Sequence, residues 1–79
     1  MSERLPLTQL AADKTAIVVE IKGGRGLLER LEGLGIRIGQ RISKVSGPFM
    51  HGPVTIKAGN IRVALGYGAA GKVIVEVAG

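Results

Sequence analysis

Apolar positions divide this chain into one stretch that repeats every three or four residues and a remainder that alternates by two. Between Gly23 and Gly39, Leu27, Leu31, Leu34 and Ile38 recur at helical spacing and stack on one face, while Arg25, Glu29 and Glu32 fall elsewhere. The pattern predicts a helix from about Gly26 to Leu34 that packs on a β core through Leu27, Leu31 and Leu34. Gly35 falls where a left-handed residue closes a last helical turn without a Cβ clash, which puts Leu31 and Ile36 at the two positions whose apolar contact accompanies a Schellman ending. Gly33 costs a helix about 1 kcal/mol relative to alanine, which implies a frayed end or a closely approaching neighbour.

Period two governs the rest. Thr15 to Lys22 is β-branched, with Ile17, Val19 and Ile21 set against a wetter face of Val18, Glu20 and Lys22, and Gly23-Gly24 ends it. Gln40 to Ser46 reads as a second strand with poor alternation, as in a strand that bends at a bulge and buries Ile42 and Val45 on either side. Gly47 to Pro53 is a surface loop carrying Phe49 and Met50. Val54, Ile56 and Ala58, then Gly59-Asn60, then Ile61, Val63 and Leu65 describe a tight hairpin, and Lys72 to Val77 a final strand. Near the start, Leu7, Leu10 and Ala11 after Pro6 suggest one turn of helix across Leu5 to Ala12. The expected fold is mainly β: a small barrel of about five strands with one inserted helix, forming a single domain over residues 1–79.

Composition narrows the means of holding that core together. Hydrophobic residues make up 46% of the 79, aromatics only 3%, and there is no cysteine, so the core is aliphatic and unstapled. No apolar run approaches the ~18 residues of a membrane span and no export signal is visible, which points to a soluble cytoplasmic protein. Eleven Lys and Arg face six Asp and Glu, so an anionic partner is favoured. Lys22, Arg25, Arg30, Arg37, Arg41 and Lys44 cluster around the helix, either as a solvated face or as a docking face.

Chemical motifs are few. Gly66-Tyr67-Gly68-Ala69-Ala70-Gly71 matches the dinucleotide fingerprint in letters, but the following helix, parallel strand and acidic residue are missing, so it reads as a glycine-loosened turn between antiparallel strands. Gly23-Gly24-Arg25-Gly26 lacks the Lys-Ser/Thr ending of a phosphate-binding loop. His51 is the one histidine, there is no metal-ligand cluster, and Glu29 and Glu32 read as partners for Arg25 and Arg30 rather than as an acid and base. The expectation is therefore no catalytic residue, no metal site, no cofactor and no enzymatic activity. A basic small barrel that binds nucleic acid is the alternative, weakened because only Phe49 and Tyr67 are available to stack on bases.

The run Arg30-Leu31-Glu32-Gly33-Leu34-Gly35-Ile36-Arg37-Ile38-Gly39 resembles the core motif of the FeoA family, with Arg30, Leu31, Leu34, Gly35 and Gly39 in its motif positions. Leu7-Thr8-Gln9-Leu10 is similar to the family's opening turn, and Pro53-Val54-Thr55-Ile56, Gly59 and Ile61 to Leu65 to its closing hairpin. The resemblance spans essentially the whole chain. It implies an SH3-like barrel and a cytoplasmic accessory role in ferrous iron uptake, beside the membrane transporter FeoB with its GTP-binding domain. Arg25, Arg30, Arg37 and Arg41 are then the expected contacts to the partner, Leu31, Leu34, Gly35 and Gly39 the structural motif, and recruitment to the inner face of the membrane follows from the partner. Edge strands in so small a barrel leave weak self-association open. Asp13 stands where the family usually has glycine, and Gly66-Tyr67-Gly68 replaces the charged residues that begin a short helix before Ala70, which argues against that helix here.

Overall fold

Alternation becomes strand pairing in a computed structural model of the chain, which describes residues 2–78. Six antiparallel strands, β1 (Ser2–Pro6), β2 (Thr15–Ile21), β3 (Arg41–Ser46), β4 (Val54–Ala58), β5 (Ile61–Leu65) and β6 (Val73–Ala78), form one sheet in the order β1-β6-β2-β3-β4-β5. Helices α1 (Gly24–Gly33) and α2 (Tyr67–Gly71) and a 3-10 turn at Leu7–Gln9 complete the chain. Bulges between Val18 and Glu20 and between Lys44 and Ser46 bend the sheet around its core without closing it, so β1 and β5 are its edges. This is the small SH3-like, mainly β architecture expected, with six strands in place of five.

The inner faces are aliphatic. Val54, Ile56 and Ala58 of β4, Val63 and Leu65 of β5, and Val73 and Val75 of β6 are buried together with Leu7, Leu10, Leu31, Ile36, Ile42 and Ala70. Each such Val, Leu or Ile side chain contributes roughly 1.5–3 kcal/mol by leaving water, which is how a core without rings or disulfides suffices. The hairpin between β4 and β5 pairs Ala58 with Ile61 across Gly59-Asn60, as its alternation predicts.

Four expectations are corrected. Leu5 is not the start of a helical turn: residues 2–6 form β1, which pairs with β6 from Ser2 opposite Ala78 to Pro6 opposite Ile74, and the turn shortens to Leu7–Gln9. Proline is tolerated there because Pro6 ends an edge strand. In β2 the buried residues are Ala16 and Val18, while Ile17, Val19 and Ile21 are half-buried, because the bulge after Val18 resets which face points inward. In β3 the bulge is present, but Lys44, not Val45, joins Ile42 in the interior. Residues 67–71 form a helical turn, with the Ala70 amide donating to the Gly66 carbonyl at 2.9 Å and Ala70 fully buried, so packing overrides the weak helix propensity of glycine.

Two local features settle as the residues require. The Ile36 amide donates to the Leu31 carbonyl at 2.9 Å and the Gly35 amide to Glu32 at 3.0 Å, the paired bonds of a Schellman ending, with Gly35 at φ +93°. Leu31 and Ile36 are both buried beneath it. Asp13 sits at φ +68°, a left-handed conformation that glycine adopts freely and Asp tolerates. Gly33 is the last residue of α1, and no neighbour approaches where its Cβ would be.

Candidate partner-binding surface

The turn after α1 carries the surface. Ile36 anchors it in the core, the Gly39 amide donates to the Val18 carbonyl at 2.6 Å, and the Val18 amide donates to the Gln40 carbonyl at 2.9 Å, so residues 36–40 are stitched to β2. The Gln40 side chain accepts from the Arg37 amide at 3.1 Å, and Gly39 takes φ +91°. With Ile36 turned inward, Arg37 and Ile38 point outward by the geometry of the turn and are exposed. Facing them is the β4–β5 hairpin. Leu34, Ile38, Ala58 and Ile61 supply apolar walls, and Arg37 and Gln40 polar ones, to an open hollow of about 510 Å³.

Leu34 therefore departs from its expected place. It is 43% exposed, whereas Leu31, one turn earlier, is 1% exposed. The chain leaves the helix at Gly35, so Ile36 rather than Leu34 continues the buried contact, and Leu34 and Ile38 remain on the rim. Leu27 packs against the core as expected, half-buried.

The four arginines are exposed, but they do not share one hollow. Arg37 lines the hollow beside the hairpin, and Arg41 lines a second one of about 260 Å³ with Thr15, Ala16, Ile17 and Glu76. Arg25 and Arg30 project from α1 and line neither. Among the described residues the one ion pair is Arg4 with Glu76 at 2.9 Å, so Glu29 and Glu32 do not hold Arg25 and Arg30 as the helix spacing suggested.

Lys44 is a further correction. Counted by its charge among the docking cations, it is 2% exposed, and its Nζ donates to the carbonyls of Leu7 at 2.9 Å and Thr8 at 3.2 Å. It fastens the 3-10 turn to β3, and burial pushes its pKa down. Its position two residues from Ile42 was the available signal, since positions i and i+2 share a strand face. His51 lies against the Tyr67 ring with centroids 4.6 Å apart. Among the described residues no group of His, Cys, Asp and Glu could hold a metal ion, and no helix is long and apolar enough to cross a membrane.

Residues 5–77 match the FeoA domain. The chain belongs to the FeoA family. A protein of Methanocaldococcus jannaschii, named as a candidate Fe(2+) transport protein A, is 34% identical over 71 residues, covering 90% of this chain and 84% of that relative. The crystal structure of an iron uptake regulatory protein, FeoA, aligns with a TM-score of 0.81 at 33% identity, covering 92% of this chain and 95% of that one. A manganese-dependent transcriptional repressor aligns with a TM-score of 0.84 at 20% identity, covering 99% of this chain but 43% of the repressor, and at that identity the likeness is one of fold. The FeoA family is one of ferrous iron transport, as an accessory domain rather than a known enzyme.

Proposed function

We propose that this protein is a non-enzymatic cytoplasmic accessory factor of ferrous iron uptake that docks on a FeoB-type membrane transporter or its GTP-binding domain and modulates its activity or assembly. The observation that carries this reading is the family match across residues 5–77, nearly the full chain. Arg25, Arg30, Arg37 and Arg41 are the charged contacts of that reading, all four exposed and free of ion pairs among the described residues. Exposed arginines of this kind accelerate and orient encounter with an acidic surface more than they raise affinity. Pull-down of FeoB from the same cell with the wild-type chain, repeated with Arg25→Glu and Arg37→Glu together, tests it. Loss of capture by the doubly reversed protein is the expected result, and undiminished capture removes the arginines from the interface.

A further inference from the structure

Charge is segregated along the chain in a way the helix does not reveal. Between Gly33 and Val75 there are six Lys and Arg and no Asp or Glu, whereas the remaining residues carry five against six, so the whole net charge of +5 arises in the stretch that forms β3, β4, β5 and α2. Lys44 is buried, which leaves Arg37, Arg41, Lys57, Arg62 and Lys72 exposed. Lys57 and Arg62 pair directly across β4 and β5, a juxtaposition of like charges that destabilises a sheet, and no ion pair among the described residues relieves it.

The same strand presents an open edge. β5 is the last strand of the sheet, and among the described residues its backbone makes no hydrogen bond except to β4. Gly59 has φ +63° while Asn60 does not share a positive φ, which makes the hairpin turn type II′ and its flanking residues Ala58 and Ile61 a hydrogen-bonded pair. The antiparallel alternation then turns the N–H and C=O groups of Arg62 and Ala64 away from β4, toward the free edge. At the head of this edge lies the apolar hollow that Ile61 shares with Leu34 and Ile38.

We propose that β5 accepts one further strand, an acidic segment of a partner protein in which carboxylates alternate with aliphatic residues. Main-chain bonds to Arg62 and Ala64 supply the ladder. The added strand's inner-row residue beside Ile61 reaches the hollow, and those on the outer face come beside Arg62, with Lys57 one strand further in, which sets the alternation. A second copy of this chain is a poor occupant, because edge-to-edge pairing brings two carboxylate-free cationic halves together. A nucleic acid brings negative charge but cannot extend the ladder. The inference concerns β5 whichever protein carries the strand, and so stands apart from docking on the transporter.

Titration of the isotope-labelled chain with a short capped peptide alternating Glu and Val tests it. Amide shifts confined to residues 61–65 and 34–39, with slowed hydrogen exchange at Arg62 and Ala64, are expected. Ala64→Pro removes an outward N–H while leaving the β4 ladder in place, and is expected to abolish these changes. Reversal of the charges in Lys57→Glu with Arg62→Glu is expected to weaken the Glu–Val peptide by about tenfold and to favour a Lys–Val peptide instead, a readout that loss of folding could not produce. Equal binding of both peptides by the wild-type chain, or undiminished binding by a folded Ala64→Pro variant, overturns the proposal. So does a self-association that the proline variant abolishes, or binding of a thymidine oligonucleotide at the same residues that the proline variant retains.

Discussion

The interior beneath α1 and the rim beside it use the same kinds of residue to opposite ends. Leu31 and Lys44 lie inside, one packed on the core and the other bonded to two backbone carbonyls, while Leu34 and Arg37 lie outside on the walls of a hollow. The two leucines are three positions apart, and both satisfy the helical period. What separates them is the Schellman turn at Gly35, which reverses the chain so that Ile36 takes the buried position. The two cations differ likewise, since strand register carries Lys44 inward and the turn carries Arg37 outward. Residue type and period alone therefore do not tell a core position from a rim position within one turn of a helix end.

The largest expected effect compares the two leucines. Leu31→Ala should lower the unfolding free energy by about 3 kcal/mol through lost burial and the cavity left behind, measured by denaturant melts. Leu34→Ala should cost less than about 1 kcal/mol, because its side chain remains in contact with water. Equal costs would break the distinction between interior and rim.

Lys44 comes next. Lys44→Ala removes the buried stem and leaves the Thr8 carbonyl without its side-chain donor, an expected loss of about 2 kcal/mol. Lys44→Met keeps the stem and removes the charge, so its contrast with the wild type should depend on pH. The folded pKa of Lys44 lies below its ordinary 10.5, so between the two values the unfolded chain binds more protons and stability rises with pH. The burial penalty is thus full below the folded pKa and fades as pH rises toward 10.5, and the wild type should gain on Lys44→Met through that window in paired melts. A contrast that stays flat with pH would show that the ammonium is not desolvated.

Gly35→Ala sharpens the comparison at its pivot. The space for a Cβ is open, so the cost is the left-handed backbone alone, about 1 kcal/mol, visible as a lower melting temperature with the fold retained. A larger loss would mean that the turn, and with it the hollow, is rebuilt.

Much of this architecture is legible in the residues because the signals are local. The end of α1, the β4–β5 hairpin and the approximate strands β2, β3 and β6 follow from patterns spanning at most a few turns or a strand pair. The missed elements depend on distant partners. β1 reads as a helical turn until β6, at the other end of the chain, offers an edge, with Arg4 meeting Glu76 across it. α2 carries glycines that argue against a helix, and it forms where Ala70 is buried near the 3-10 turn. The candidate surface was legible as exposed arginines but not as a place, because their distribution between two hollows and a helix flank is set by how the sheet bends.

By itself the sequence determined the family, the aliphatic β core, the helix and its stop, and an excess of positive charge. These rest on side-chain chemistry and spacings that hold wherever the chain goes. Tertiary structure alone decided that Lys44 fastens the Leu7 and Thr8 carbonyls to β3, that Leu34 and Ile38 are rim rather than core, and that the cations of β4 and β5 flank an unpaired edge. Burial and edge exposure are properties of what lies across the sheet, and bulges after Val18 and after Lys44 redirect the faces of the residues that follow, which a period of two cannot track.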